Sequence, residues 1–184
     1  MKSNPISDLT SNIQNKNIKE FVTLILSQHE KEFLTVPSSS SFHHAHKAGN
    51  YEHTRDVLKI AQVGCDIYNV DNDIVNAGAI LHDIGKIKCY SLKKNRVIHL
   101  ITDVLKGHFI LGNKILEEAF EENPIISQYQ FDEIQHILIS HHGPVRNGFG
   151  SIVDPNTPEA ILVYQADTMD ACLSNINDTN LIFR

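Results

Sequence analysis

The chain is built from apolar positions that recur at helical spacing, in stretches separated by proline, glycine and serine, and it contains no alternating series that would make a sheet. Between Asn17 and Leu34, Ile18, Phe21, Val22, Ile25, Leu26 and Phe33 fall on one helical face, and Pro37 with the serines 38–41 ends the run. A second helix is expected from Tyr51 to Tyr68, with Val57, Ile60, Ala61, Gly64 and Ile67 inward. Asp71 reads as the N-cap of a third, which closes near Asp83 with Gly85 as its stop. Residues 86–100 read as a short hairpin or an irregular loop. A fourth helix is expected from Asp103 to Glu121, with Val104, Leu105, Phe109, Leu111 and Leu116 inward and Pro124 breaking it. A fifth runs from Asp132 to His142, ending at Gly143-Pro144. After a loop rich in Gly, Pro and Asn, Pro158 opens a sixth that extends to Leu173. Residues 1–16 are polar and expected to fray. The fold class is therefore all-α, a bundle of about six or more helices.

At 184 residues the chain suffices for one domain with a full core. Residues 1–36 are expected to pack as a helical segment on a domain formed by residues 37–184. The net charge of −6 and the lack of a polybasic stretch argue against tight electrostatic binding of long nucleic acid. A small anionic substrate held by a metal is compatible with that charge. Cys65, Cys89 and Cys172 form no CxxC pair and read as free thiols of a reducing cytosol. The N-terminus has no apolar signal core and no run is long enough for a membrane span, so a cytoplasmic location is expected.

Histidine is over-used, at 11 residues, and its placement carries chemistry. His82-Asp83 closes the apolar run Ala77-Gly78-Ala79-Ile80-Leu81. A polar pair on a solvent-facing helix end would be unremarkable chemically, but an apolar preceding turn buries this one. Two buried polar side chains without partners would cost several kcal/mol, on the order of the upper range for such burial. His53 and His108, each alone, are more often structural. In His141-His142 the side chains diverge by about 100° on a helix, so the two rarely serve one metal equally. The sequence leaves open which of them ligates. Asp167 lies inside an apolar helix and needs a partner. Jointly these residues supply His, His-Asp, His, His and Asp, a full set for two metals sharing a carboxylate.

That order resembles the HD superfamily of metal-dependent phosphohydrolases, whose signature is a His, a His-Asp pair and a distant Asp on a helical bundle. The matching residues are His53, His82, Asp83 and Asp167. Within the superfamily the likeness is nearest to the catalytic domain of the YhaM-type 3′–5′ exoribonucleases. It rests on His43-His44-Ala45-His46, Glu52-His53-Thr54, Leu81-His82-Asp83-Ile84-Gly85-Lys86, Gly107-His108, Ser140-His141-His142-Gly143 and Ala166-Asp167. Those enzymes carry an OB-type nucleic-acid-binding domain ahead of the HD domain. Residues 1–36 are too short for one, and this departure places RNA in doubt as the natural substrate.

The resemblance implies a first divalent transition metal on His53, His82, Asp83 and Asp167. A second would lie on His108 and His141, with His142 beside it and Asp83 bridging; Mn, Fe, Zn or Ni would suit. It implies hydrolysis of a nucleotide or short oligonucleotide phosphate ester, with Lys86 and Asp83 in the reaction. Lys86 and His142 would meet the substrate; Arg146, read from its place in the loop after His142, is a weaker phosphate candidate and more often a plain surface arginine. His43, His44 and His46 are expected to line the pocket or hold the loop after Pro37, not to ligate. Three other readings share the pattern: a mononuclear HD nucleoside 5′-monophosphatase, a di-iron HD oxygenase, and a non-catalytic metal-bound or nucleotide-sensing module.

Overall fold

The computed structural model describes residues 4–42, 44–94 and 96–178, which form eight α-helices, four of them packed on a central one. That central helix, α5 (Asn72–Leu81), starts where the Asp71 carboxylate accepts the amides of Asp73 and Ile74. Every residue from Ile74 to Leu81 is buried, as expected of a helix apolar on all sides. Its neighbours are α2 (Lys16–Gln28), α4 (Gly49–Cys65), α7 (Gln128–Ser140) and α8 (Pro158–Asp178). The core runs without a break from Ile6 and Leu9, through Phe21 and Phe33, to Val163 and Ala166. Each fully buried Phe, Leu or Ile contributes about 1.5–3 kcal/mol relative to exposure.

Several boundaries differ from the sequence expectation, each for a local reason. The opening residues do not simply fray: Asn4 caps a short helix, α1 (Pro5–Leu9), which buries Ile6 and Leu9. The first long helix is interrupted at His29, whose backbone leaves the helical region, and resumes as α3 (Glu30–Phe33). Ile67 is exposed, because α4 has already ended at Cys65. α7 begins four residues before Asp132, since Ser127 and Gln130 form a reciprocal capping box that the apolar periodicity does not reveal. α8 continues past Leu173 to Asp178.

The segment after α5 is a 3₁₀ turn (Ile84–Lys88) followed by the hairpin alternative, β1 (Tyr90–Lys93) and β2 (Arg96–His99). The strands pair antiparallel with Tyr90 opposite His99. α6 then spans Ile101–Glu122, but Gly107 inside it has φ 74° and ψ 156° and breaks the helical path. Val104 and Leu105 precede that break and are 67 % and 73 % exposed, against the expectation that they point inward. The kink re-aims the axis, so periodicity counted from residue 104 does not carry through to Phe109, which is buried as expected. Among the described residues no helix is long and apolar enough to cross a membrane.

Candidate metal centre

Six segments converge on one buried cluster. α4 supplies His53, and the end of α5 supplies His82 and Asp83. The 3₁₀ turn supplies Lys86, α6 supplies His108 just after its kink, the end of α7 supplies His141 and His142, and α8 supplies Asp167. Gly85 permits the turn to press on α6: a Cβ there would lie 2.0 Å from the His108 carbonyl oxygen and 2.6 Å from the Gly112 amide nitrogen. The close approach of backbone to backbone sets His108 beside Asp83.

The imidazoles are oriented by backbone. Nδ1 of His82 lies 2.8 Å from the Ala79 carbonyl, Nδ1 of His141 lies 2.6 Å from that of Leu138, and Nδ1 of His142 lies 2.6 Å from that of Phe149. A carbonyl only accepts, so each Nδ1 must carry the proton and each Nε2 is left with its lone pair. Nε2 of His53 lies 3.3 Å from Nε2 of His82, 3.0 Å from Asp167 Oδ1 and 3.5 Å from Asp83 Oδ2. The other oxygen of Asp83, Oδ1, lies 3.5 Å from His141 Nε2 and 3.8 Å from His108 Nε2. Those three atoms are buried and make no hydrogen bond. Asp83 thus presents one oxygen to each of two groups that could hold an ion, His53/His82/Asp167 and His108/His141/His142. Within each group the donor atoms lie within 4.8 Å of one another.

Electrostatics follow from this packing. Burial, reinforced by His142, lowers the His141 pKa to about 4, and burial holds His108 well below the ordinary histidine value. Both rings are neutral near pH 7, the form a metal requires. Burial also opposes charge on His53, but its hydrogen bonds to Asp167 and Asp170 prevail and raise its pKa to about 9. Asp83 is buried, which would raise its pKa, yet Lys86 and the histidines hold it well below the usual carboxylate range. Lys86 Nζ lies 2.5 Å from Asp83 Oδ2 and donates to Ser38 Oγ at 3.2 Å.

Asp170 is the residue that sequence reasoning missed. It is buried, accepts from Nδ1 of His53 at 2.6 Å, and lies 3.0 Å from Nε2 of His44. The available signal was its position three residues after Asp167, on the same face of α8. His44 therefore sits behind His53 and ties down the loop after Pro37, where its carbonyl accepts the Ser38 amide. His46 is exposed, near Glu52, and His43 lies outside the described residues. Arg146 is exposed in a 3₁₀ turn (Val145–Asn147) and does not line the cleft beside the cluster. That cleft has a volume of about 330 Å³, and Lys86, Asp167 and His142 line it. All three cysteines are free thiols.

This arrangement of His, His-Asp and Asp on helices agrees with comparison to known sequences: the HD-domain family model matches residues 50–172, and the chain belongs to that family. It is similar to the 3′-5′ exoribonuclease YhaM of Bacillus subtilis (strain 168), 32% identical over 160 residues, which cover 86% of this chain and 50% of the relative. The proteins of the same name from Bacillus licheniformis and Bacillus velezensis are 31% and 29% identical over the same shares. The chain spans about half the length of these curated relatives. No solved structure matches it.

Proposed function

We propose that the chain is a metal-dependent phosphohydrolase that cleaves a phosphate ester of a nucleotide or short oligonucleotide, using two divalent transition-metal ions of the Mn, Fe, Zn or Ni type. The observation that carries this reading is Asp83, buried between two groups of imidazoles with one oxygen toward each. Oδ1 and the facing Nε2 atoms of His108 and His141 are buried without hydrogen bonds, an arrangement that is costly unless a cation satisfies it. His53, His82, Asp83 and Asp167 would hold one ion. His108, His141 and His142 would hold the other, with Asp83 shared. Imidazole and carboxylate suit these metals, and two such sites sharing a carboxylate suit hydrolysis of a phosphate ester.

Bound divalent ions supply hydroxide at neutral pH and positive charge beside the phosphate. The chain's own residues do the rest. Backbone carbonyls fix His82, His141 and His142 in the tautomer that faces inward, and Asp170 holds the Nδ1 proton of His53, whose Nε2 proton a bound ion would displace. Lys86, at the buried end of the cleft, would bind a non-bridging phosphate oxygen, exchanging its contact with Asp83 for one with substrate. The names of the relatives point to RNA as the polymer from which a short oligonucleotide would come. The charge of −6 favours short substrates over long tracts.

Elemental mass spectrometry and hydrolysis assays on the same preparations test this. The chain reconstituted with manganese should hold about two ions and hydrolyse bis-(p-nitrophenyl) phosphate or a short oligoribonucleotide. Asp83→Ala should hold fewer ions and lose activity while its helical circular dichroism persists. One ion per chain, with His108→Ala fully active, would replace the dinuclear site with a mononuclear one. Full activity in Asp83→Ala would overturn the proposal.

A further inference from the structure

The mouth of the cleft carries two aromatic side chains that the chemistry above does not use. Phe149 is 72 % exposed and Phe42 51 % exposed, and both line the same cleft as the buried Lys86 and Asp167. One exposed phenylalanine needs no explanation. Two from separate loops, beside a cleft that ends in a lysine and a cluster of potential metal ligands, define a site with an anion-binding end and an aromatic end.

The backbone at Phe149 is also anchored. It stands in Gly148-Phe149-Gly150, where the glycines have φ of 75° and 100°, values that side-chain-bearing residues rarely adopt. The Phe149 carbonyl accepts from Nδ1 of His142, so the loop is fastened to the metal-ligand cluster itself. The ring therefore springs from a backbone point anchored beside His142, within reach of a nucleotide whose phosphate is bound below it.

We infer that Phe42 and Phe149 form a stacking platform for the nucleobase of the nucleotide whose phosphate enters the cleft. This rests on the reading of the buried end as a phosphate site. Every base has a π-face, so the platform accepts any of them. Apart from Lys86, His142 and Asp167, the described lining offers only Thr168 and Cys172 as polar groups, leaving little to read a base edge. The site is therefore specific for a base-bearing phosphate and tolerant of which base it carries. With Lys86 the one cation among the described lining residues, it takes a single nucleotide end, not a phosphate tract.

Two phosphonates whose P–C bonds resist hydrolysis make the test, the 5′-methylenephosphonate analogues of adenosine 5′-monophosphate and of ribose 5-phosphate. Each is titrated calorimetrically into the manganese-loaded full chain. The adenosine compound should bind about tenfold or more tightly than the ribose compound, as one stacked base contributes. In Phe149→Ala that ratio should fall toward one, and Phe149→Tyr should keep it; a substitution at so exposed a position leaves the core untouched. Equal affinities in the native chain, no binding of either compound, or a ratio unchanged in both Phe149→Ala and Phe42→Ala would overturn the platform. Hydrolysis of phosphate esters by the same preparations reports separately. A base preference without hydrolysis would uphold the platform and remove the hydrolase, and hydrolysis without a base preference would do the reverse.

Discussion

A histidine ligates well only when its proton is parked on the other ring nitrogen, and in this site that parking is done by four different acceptors. Three are carbonyls of the histidines' own helix or loop, and the fourth is the carboxylate of Asp170. A carboxylate holds an imidazole more firmly than a carbonyl and raises its basicity toward a metal. Asp170→Asn should therefore weaken binding of the first ion by roughly 10–100-fold, measured by competition with a chelating dye. In the metal-free protein the ring ¹⁵N shifts of His53, followed against pH, should show its raised pKa of about 9 falling, which simple destabilisation would not produce, and Asp170→Glu should restore part of the affinity. Unchanged affinity and an unchanged His53 pKa in Asp170→Asn would reduce the residue to packing. The histidines and aspartates that converge here were legible as a set, because burying so many of them is uneconomic chemically without a shared cation. Asp170 was not, since its partner His53 lies on another helix and only the fold reveals the contact. Arg146, a weak phosphate candidate that more often reads as a plain surface arginine, stands in solvent in the turn at Val145–Asn147.

Among the elements, the 3₁₀ turn after α5 presses backbone to backbone on α6. Gly85→Ala would drive a methyl group into the backbone of α6 at His108 and Gly112, and backbone cannot swing aside as a side chain can. An overpacking cost of about 1–3 kcal/mol is expected, read by chemical denaturation of the metal-free protein. The displaced His108 should also cost the second ion, read by elemental analysis. Stability and two-ion binding both intact would show that the turn has slack. In sequence this glycine looked like a helix stop; its steric duty became visible only once α6 was seen to cross the turn. The limits of α4, α6 and α7 were misjudged for related reasons. A cap such as Ser127 with Gln130, or a break such as Gly107, is set by a few polar or backbone contacts that leave no trace in the apolar rhythm.

For the whole molecule, that rhythm did suffice to identify an all-helical fold, and the buried face of α2 is the one the spacing marked. How the helices cross was not legible, because every amphipathic face can pair with every other until their lengths and the loops between them decide. The crossing has a kinetic consequence. The proposed ligands come from five segments between His53 and Asp167, and no two neighbouring segments alone supply both a complete first group and the shared Asp83. An ion therefore finds its full set only after the bundle has closed around α5, past the folding barrier. Stopped-flow refolding should run at nearly the same rate with and without manganese, while unfolding in denaturant should slow by about tenfold for each 1.4 kcal/mol of ion binding. A marked acceleration of refolding by the metal would mean instead that part of the cluster assembles early. On this account the ions act as a latch on a finished structure, and the protein's lifetime is set by how long they stay.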